Sequence, residues 1–308
     1  MPALRERGDG AERRGFGLDT NCLTIINSFS TAQPLIEACQ RAASVKGGRL
    51  SFFLSSQPLW ITILLLVVIP TTIAMGAQTL IHRLVGAEKL VQNNEIAGFK
   101  FATVGVIYAV LLAFAVIVVW EKFSTAENAV DQEAASIAAL FRYAEGKGAE
   151  ETALRAAVAN YANTAIREEW PAMSAETESR ETTRALDAVY EAALALNRSE
   201  TRTMADMAEV FTQIDNVTAA RRVRLHLATG LVPSVIWAAL FTGGLLTIGF
   251  TLFFGSENLL AQISMTGVLS ILVTLGLVVI VSIDHPFTGP VKVQPEPLLS
   301  VLADFEAR

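Results

Sequence analysis

The chain alternates between long apolar stretches and polar segments, with two apolar stretches on either side of one charged block. Each stretch holds or exceeds the roughly 20 apolar residues that a helix needs to cross a hydrocarbon core of ~30 Å. Lys100, near one end of the second stretch, is the only charged residue inside them. The pattern predicts an all-α polytopic membrane protein whose four spans are residues 59–81, 97–120, 231–254 and 260–283.

The composition agrees with this prediction. Hydrophobic residues make up 52% of the 308 residues and charged residues 18%, a balance more apolar than that of an average soluble domain. The net charge is -6, but most charged residues lie between positions 121 and 224, so the acidic balance describes the central block. No basic patch indicates nucleic acid, and the predicted partner is the lipid bilayer.

Lysine and arginine are unevenly distributed around the predicted spans. The turn at residues 255–258 carries none, and the first hairpin carries few. The N-terminal arm and the central block carry more close to the membrane: Arg41, Lys46, Arg49, Lys122, Arg221, Arg222 and Arg224. Positive residues favour the cytoplasmic side. We therefore expect a multi-pass protein of the cell inner membrane with the central block and both termini in the cytoplasm.

This layout divides the chain into five regions. They are a disordered N-terminal arm (1–56), a first transmembrane helix pair (57–120), a cytoplasmic helical region (121–230), a second transmembrane pair (231–285) and a C-terminal tail (286–308). In the helical region the second span is predicted to continue as one helix until Gly146 and Gly148. A second helix is predicted at about 150–169 and is ended by Trp170 and Pro171. A third follows at about 178–196. A fourth starts at Ser199 and directs Met204 inward. Apolar residues at helical spacing predict an ordinary bundle core.

The chain carries few residues in patterns typical of catalytic or metal sites. His82, His226 and His285 are isolated from one another and from other metal ligands in the sequence, so no metal site is expected. No phosphate-binding loop, dinucleotide fingerprint or nucleophile elbow is present. The adjacent Glu168 and Glu169 are interpreted as a solvated helix face. The sequence predicts no enzyme and no cofactor.

The second span has two distinct faces. One is a ridge of small residues that lets another helix approach closely in lipid: Gly98, Ala102, Gly105, Ala109 and Ala113. The other has a cation at its outer end and apolar side chains deeper in the membrane: Lys100, Thr103, Ile107, Leu111 and Phe114. This second face is either a lipid-facing surface with a snorkelling lysine or, in an oligomer, a pore stripe with a cationic mouth and a hydrophobic constriction.

Four local features concern a proline within the first span and the ends of the second and last spans. Pro70 predicts a kink in the first span, because it removes a helical hydrogen bond. Asn93 and Asn94 are expected to cap the second span. Pro286 predicts that the last span stops at Asp284 or the next residue. The carboxylate of Asp284 is expected to cap that end or to pair with Arg221 or Arg222.

Three motifs, in order, carry a resemblance to a known family. They are NNEIAGFKFATVGVIYAVLLAFAVIVVWEKF at 93–123, EEWP at 168–171 and IDHPFTG at 283–289. The chain resembles, from about residue 59 to 293, the bestrophin-like family of uncharacterised bacterial and plant membrane proteins. That family is similar in plan to the bestrophins, which are pentameric anion channels with a pore lined by the second span.

The resemblance implies an oligomeric, chloride-type anion channel, with small anions as its permeating partners and a homo-oligomer, the pentamer of the bestrophins, as its assembly. The Pro-Phe-Gly segment that follows the last span in bestrophins corresponds to Pro286, Phe287 and Gly289, with Thr288 inserted. The acidic cluster that follows in calcium-activated bestrophins is missing, so calcium gating is not expected. The alternative function is a non-conducting scaffold or sensor whose helical bundle binds a protein partner.

Overall fold

The computed structural model describes residues 52–85, 90–91, 94–145, 148–197 and 203–307. The predicted N-terminal arm therefore lies mostly outside the described residues. Its last part does not fit the prediction of disorder, because residues 52–55 form a helical turn in which Leu54 and Ser55 are buried. This turn packs against the end of the last span, where the hydroxyl of Ser55 donates to the carbonyl of Val281 over 2.7 Å.

Within the described ranges the regular secondary structure is helical. The helices are α1 (Leu59–Val85), α2 (Asn94–Tyr143), α3 (Ala149–Thr164), α4 (Trp170–Ser174), α5 (Arg180–Asn197), α6 (Met204–Leu227), α7 (Ser234–Phe250), α8 (Leu259–Ile283) and α9 (Glu296–Glu306). A 3₁₀ turn at Thr251–Phe253 extends α7.

Four of these helices, α1, α2, α7 and α8, are long and apolar enough to cross a membrane. The four predicted spans are thereby confirmed as helices of the required length and composition. Of the apolar stretch of α8, 56% is buried within the chain, against 17–28% for the other three. The last span is thus the central helix of this bundle, and the others leave most of their surface uncovered.

α2 belongs to both halves of the molecule. It contains 50 residues and is about 75 Å long at ~1.5 Å per residue, more than twice the thickness of a hydrocarbon core. Its first half packs in the span bundle, and its second half, from about Phe123, packs in the core of the helical block. The predicted continuation of the second span is confirmed, and the helix ends at Tyr143.

Two helical segments widen by one π turn just before a proline. One covers Leu64–Val68, ahead of Pro70, and the other covers Ala165–Glu169, ahead of Pro171. Proline lacks an N–H, and its ring clashes with the carbonyl four residues earlier, so a wider turn allows the helix to continue. The prediction that Trp170 and Pro171 end the helix is therefore wrong, because α4 follows directly.

The helical block has one apolar core, formed by α2, α3, α5 and α6. Its buried residues occupy the helical spacing expected from the sequence and include Ile137, Leu140, Leu154, Val158, Tyr161, Val189, Ala193, Ile214 and Val217. Met204 is an exception, since it is 94% exposed at the first position of α6. Ser199, the predicted start of that helix, lies outside the described residues, and Thr203 caps α6 instead.

A helix that the sequence analysis missed closes the core. α9 follows Pro295 and buries Leu298 completely. The ring of Phe305 stacks on that of Phe141, with a centroid distance of 3.5 Å. The sequence analysis assigned these residues only to the C-terminal tail (286–308).

Candidate functional site: the second spanning helix and its junction with the helical block

One face of α2 packs against α7 and α8. The buried hydroxyl of Tyr108 donates to the carbonyl of Leu240 over 3.2 Å. A Cβ atom on Gly243 would lie 2.6 Å from the Tyr108 ring, and one on Gly276 would lie 2.5 Å from the side chain of Leu112. The close approach of the spans therefore depends on glycines of α7 and α8, which the sequence analysis did not single out.

The predicted pore stripe lies mostly outside this packing face. Lys100 and Thr103 are exposed, and Ile107 and Phe114 are 66% and 64% exposed. Leu111 is half-buried and packs against the apolar core of the spans. Successive residues in a helix are rotated by about 100°, which places the stripe about a quarter turn from the packing face. Apart from Leu111, its side chains are free to face water, lipid or a second copy, and the role of the stripe in a pore stays a prediction.

The predicted small-residue ridge makes little contact within the chain. A Cβ atom on Gly98 would lie 3.9 Å from Phe254, and one on Gly105 would meet no atom within 4 Å. Ala102, Ala109 and Ala113 are exposed. The ridge does not bring α2 close to another span of the same chain, so its predicted role in close packing requires another subunit.

Asn94 has a different role from the predicted cap. Its side-chain amide donates to the carbonyl of Gly255 over 2.7 Å, and its side-chain oxygen accepts from the backbone N–H of the same glycine at 3.0 Å. This reciprocal pair ties the start of α2 to the turn between α7 and α8. Asn93, the other predicted cap, lies outside the described residues.

A buried ionic cluster lies in the core of the helical block. Arg224 of α6 donates to both oxygens of Glu133 of α2 at 2.8 and 2.9 Å and to Glu169 at 2.7 Å. Arg221 donates through Nε to the two oxygens of Glu169 at 3.0 and 3.1 Å. The hydroxyl of Tyr161 donates to Glu133 over 2.7 Å. Two guanidinium groups thus balance two carboxylates, which is the condition for burying charge.

One prediction about these residues is wrong, and one alternative is ruled out. Glu169 does not lie on a solvated face, because it is completely buried while its neighbour Glu168 is exposed. The π turn lies at this point of the helix. Arg221 does not pair with Asp284, because its guanidinium is bound by Glu169.

The electrostatics of the cluster favour its ionic form. Burial alone lowers the pKa of Arg224, but the charges of Glu133 and Glu169 outweigh this effect and raise the pKa above its usual range. Burial and the neighbouring Glu133 raise the pKa of Tyr161 well above its usual range. Both arginines therefore remain charged, and Tyr161 remains a hydrogen-bond donor at any physiological pH.

Two of the three sequence motifs meet at this cluster. The guanidinium of Arg224 lies 4.7 Å from the centroid of the Trp170 ring, and that ring is perpendicular to Phe287 at 6.0 Å. The indole N–H of Trp170 donates to the carbonyl of Val293 over 3.3 Å. Trp170 therefore links the segment after the last span to the helical block.

Asp284 caps the segment that leads into α7. Its Oδ1 atom accepts from the backbone N–H groups of Leu231 and Val232 at 3.1 and 2.8 Å. Its Oδ2 atom accepts from the indole N–H of Trp237 at 3.3 Å. α8 ends at Ile283 with Asp284 as its C-cap, so the predicted end of the last span is confirmed. Of the two roles expected for the carboxylate, it makes capping contacts with N–H donors rather than an ion pair with Arg221.

His285 joins three segments at the same junction. Its ring is 2% exposed, with Nδ1 lying 3.2 Å from the hydroxyl of Ser55 and Nε2 lying 3.1 Å from a carboxylate oxygen of Glu176. Gly289 adopts a φ of +85°, and any side chain there would collide with the carbonyl of Ser55. The Pro-Phe-Gly segment is thus held against the turn before α1 by a position that only glycine fills without strain.

The features missed in the sequence share a physical reason. Charged residues usually lie on exposed helix faces, and this general preference hides Glu133, Arg221 and Arg224 among them. One signal was available, since these three residues occur at the helical spacing of the apolar core. In α2, Glu133 lies three residues after the buried Val130 and four residues before the buried Ile137.

Fold and site together define the class: a membrane protein with four apolar helices and a helical block between the second and third. The sequence profile of the Bestrophin-like domain matches residues 68–298, well over half of the chain. The chain therefore belongs to the bestrophin-like family, as its motifs suggested. No curated protein matches its sequence.

Solved structures share the fold. A crystal structure of a bacterial bestrophin homologue from Klebsiella pneumoniae is similar with a TM-score of 0.63 at 13% identity, over 78% of this chain and 98% of that one. A point mutant of that homologue is similar with a TM-score of 0.64 at 13% identity, over 78% of this chain and 99% of that one. A further membrane-protein structure has a TM-score of 0.59 at 14% identity, over 77% of this chain and 96% of that one. At these identities the likeness concerns the fold alone.

Proposed function

We propose that this chain is one subunit of an oligomeric anion channel of the chloride type in the cell inner membrane. The support is its membership of the bestrophin-like family and its bestrophin-like fold, since bestrophins are anion channels. The observation that carries the proposal furthest is the open face of α2. The stripe from Lys100 to Phe114 is exposed over most of its length, and of its side chains only Leu111 packs against the apolar core of the described spans.

In the proposed channel α2 lines the pore. Lys100 lies at the mouth and concentrates small anions there, since a ring of like charges acts over about a Debye length of ~8 Å. Thr103 follows, and Ile107, Leu111 and Phe114 form a hydrophobic constriction that gates by wetting and dewetting. No ligand or metal is required for this mechanism.

The proposed assembly is a ring of five copies, as in the bestrophins. The ridge formed by Gly98, Ala102, Gly105, Ala109 and Ala113 is available to a neighbouring subunit, because it has little contact inside the chain. Gly105→Leu is expected to weaken the oligomer, because close packing in lipid depends on small side chains. Native mass spectrometry measures the fraction of the protein that remains in the oligomer. Gly76→Leu in α1, where a side chain also meets no atom within 4 Å, is the control, and an unchanged oligomer for Gly105→Leu contradicts the role of the ridge.

The proposed orientation places the helical region (121–230) and both termini in the cytoplasm, where the helical region forms a vestibule. A reporter fused between α5 and α6 tests this. Fluorescence from a fused fluorescent protein, and no activity from a fused periplasmic phosphatase, is the expected result. The reverse pattern inverts the topology and removes the vestibule.

Current through a planar bilayer containing the purified oligomer tests conduction itself. Phe114→Ala and Ile107→Ala are expected to raise the open probability, because they widen the constriction. Val106→Ala is the matched control for Ile107→Ala: Val106 is also β-branched, is 64% exposed, and points about 100° away on the helix. Equal effects of both variants would place the constriction on another face.

The selectivity of the mouth is tested in a chloride gradient. Lys100→Glu is expected to lower the preference for chloride over sodium and to shift the reversal potential toward that of sodium. An unchanged reversal potential in a conducting oligomer would place Lys100 off the pathway. No current from a well-folded oligomer would favour the alternative of a scaffold or sensor that binds a protein partner.

A further inference from the structure

A cavity of about 380 Å³ lies at the end of the span bundle that is opposite the helical block. It is bounded by the first turns of α2 and α8 and by the turn that follows α7. Its volume falls within the range of roughly 300–1,000 Å³ in which ligand pockets are found. It is separate from the stripe on α2 that forms the proposed pore, because the α2 residues that line it are Asn94 and Phe101.

The walls of the cavity are mostly apolar. Phe101, Phe254, Met265 and Leu269 provide this surface. Met265 is 62% exposed on the outside of α8, so the cavity is reached from the surface of the spans that faces lipid. No charged side chain of the described residues lines it, and an ion placed there would lose its hydration without gaining a partner from these residues. A ligand of this cavity therefore has an apolar body and no net charge.

One polar group faces this space without a partner. Thr266 is 3% exposed and lines the cavity, yet its hydroxyl forms no hydrogen bond to any residue that the structure describes. Thr274, two turns later in the same helix and also 3% exposed, donates to the carbonyl of Ser270 over 2.7 Å. Buried hydroxyls are normally bonded in this way, particularly in membrane spans, where water is scarce.

The layer behind the cavity also has unused hydrogen-bonding capacity. The amide nitrogens of Gln262 and Gln78 both donate to the carbonyl of Phe254. The side-chain oxygen of Gln78 is fully buried and has no hydrogen-bond partner within the described part of the chain. Polar groups with free capacity are thus found both at the cavity and next to it.

We propose that this cavity binds an uncharged amphiphile, with its alkyl chain between Phe101, Met265 and Leu269 and a single hydroxyl or carbonyl group hydrogen-bonded to Thr266. Two sources supply this chemistry, a neutral single-chain lipid of the membrane and a small alcohol that enters from water. The site does not depend on whether the protein conducts.

Photolabelling of the full-length protein in phospholipid vesicles tests the proposal. The probe is an octanol that carries a diazirine, and the adducts are mapped by mass spectrometry of peptides. Adducts are expected on the peptides that contain Phe101 and Met265 to Leu269, and excess 1-octanol is expected to remove them. Adducts spread evenly over exposed residues such as Leu260 and Val268 would overturn the proposal, and so would labelling that 1-octanol leaves unchanged.

Two matched variants test the hydrogen bond. Thr266→Val keeps the shape of the side chain and breaks no bond within the described chain, so the protein is expected to fold as the parent does. It is expected to reduce labelling about fivefold, the effect of one hydrogen bond of ~1 kcal/mol. Thr274→Val, equally buried in the same helix, is expected to leave labelling unchanged. Equal labelling of both variants would overturn the assignment of Thr266.

A competition experiment separates the two sources. Monoacylglycerol incorporated into the vesicles is expected to displace the probe if the site accepts a membrane lipid. Displacement by 1-octanol alone would identify a small alcohol from water as the ligand class. Displacement by neither would overturn the proposal, because the labelled position would then not be a saturable site.

Discussion

The span bundle and the helical block are joined by one continuous helix, but they are held together by different interactions. In the block, the charged residues Glu133, Glu169 and Arg224 are completely buried and bonded to one another. In the spans, the buried polar residues are uncharged, such as Thr71 and Ser270, whose hydroxyls lie 3.1 Å apart. Close helix contact there depends on glycine at Gly243 and Gly276.

The difference follows from the two solvents. In water the apolar core supplies most of the stability, and a buried ionic cluster adds directional bonds that admit few alternative packings. In lipid there is little hydrophobic attraction between helices, so shape and neutral hydrogen bonds determine the contacts. The block is therefore complete within one chain, whereas the uncovered faces of α1, α2 and α7 remain for lipid or for other copies.

The largest expected effect is that of Arg224→Leu, which leaves Glu133 and Glu169 with buried and incompletely paired charges. Loss of one partner of a buried ion pair costs about 3–5 kcal/mol, so we expect a greatly lowered melting temperature or failure to purify. Arg222→Leu is the matched control, because its exposed side chain lies two residues earlier on the same helix. Similar melting temperatures for both variants, measured in detergent, would show that the ionic cluster does not stabilise the block.

The cluster also shows where sequence reasoning stops. Apolar periodicity located the core positions of α2, such as Ile137 and Leu140, because hydrophobic burial repeats along a helix. It could not tell which of Glu168 and Glu169 is buried. The turn at these residues is a π turn, and that departure from α-helical spacing depends on the local hydrogen bonds around Pro171. The pairing of Glu169 with Arg221 then joins residues 52 positions apart.

The junction between the two regions gives the next largest effect. Asp284→Ala removes an acceptor from two backbone N–H groups and from the indole of Trp237. Hydrogen bonds to a charged group contribute about 1.5–3 kcal/mol, and we expect a loss of stability of about that size. Asp284→Asn keeps one oxygen acceptor for the N–H groups of Leu231 and Val232, so its loss is expected to be smaller. Thermal unfolding of the two variants side by side measures the difference, and equal losses would contradict the role of the carboxylate as a shared acceptor.

Within the spans, a single methyl group is expected to matter at one glycine and not at another. Gly243→Ala pushes the ring of Tyr108 away, and such overpacking costs about 1–3 kcal/mol. Gly249→Ala in the same helix meets no atom within 4 Å and is expected to be neutral or stabilising by up to ~1 kcal/mol, the helix preference of alanine over glycine. Thermal unfolding in detergent compares the two variants. A loss at both positions would mean that helix contact in the spans does not depend on local shape.

The smallest expected effect concerns how the helices of the two regions begin. α1 and α7 each follow a proline and have no side-chain cap, whereas α6 begins with a capping box. Thr203 accepts from the backbone N–H of Asp206 at 3.2 Å, and the carboxylate of Asp206 accepts from the backbone N–H of Thr203 at 3.3 Å.

Thr203→Ala is expected to lower the stability of the protein by about 1 kcal/mol, as is typical for the loss of an N-cap. Because α6 carries both cluster arginines, amide hydrogen exchange in its first turn is expected to rise, while exchange around Arg221 and Arg224 stays slow. The control is Thr212→Ala, which removes an exposed hydroxyl bonded to the carbonyl of Ala208 in the same helix. It is expected to change neither the stability nor the hydrogen exchange of the first turn. Faster exchange along the whole of α6 in the Thr203→Ala variant would show that the cap, rather than the ionic cluster, holds this helix in the block.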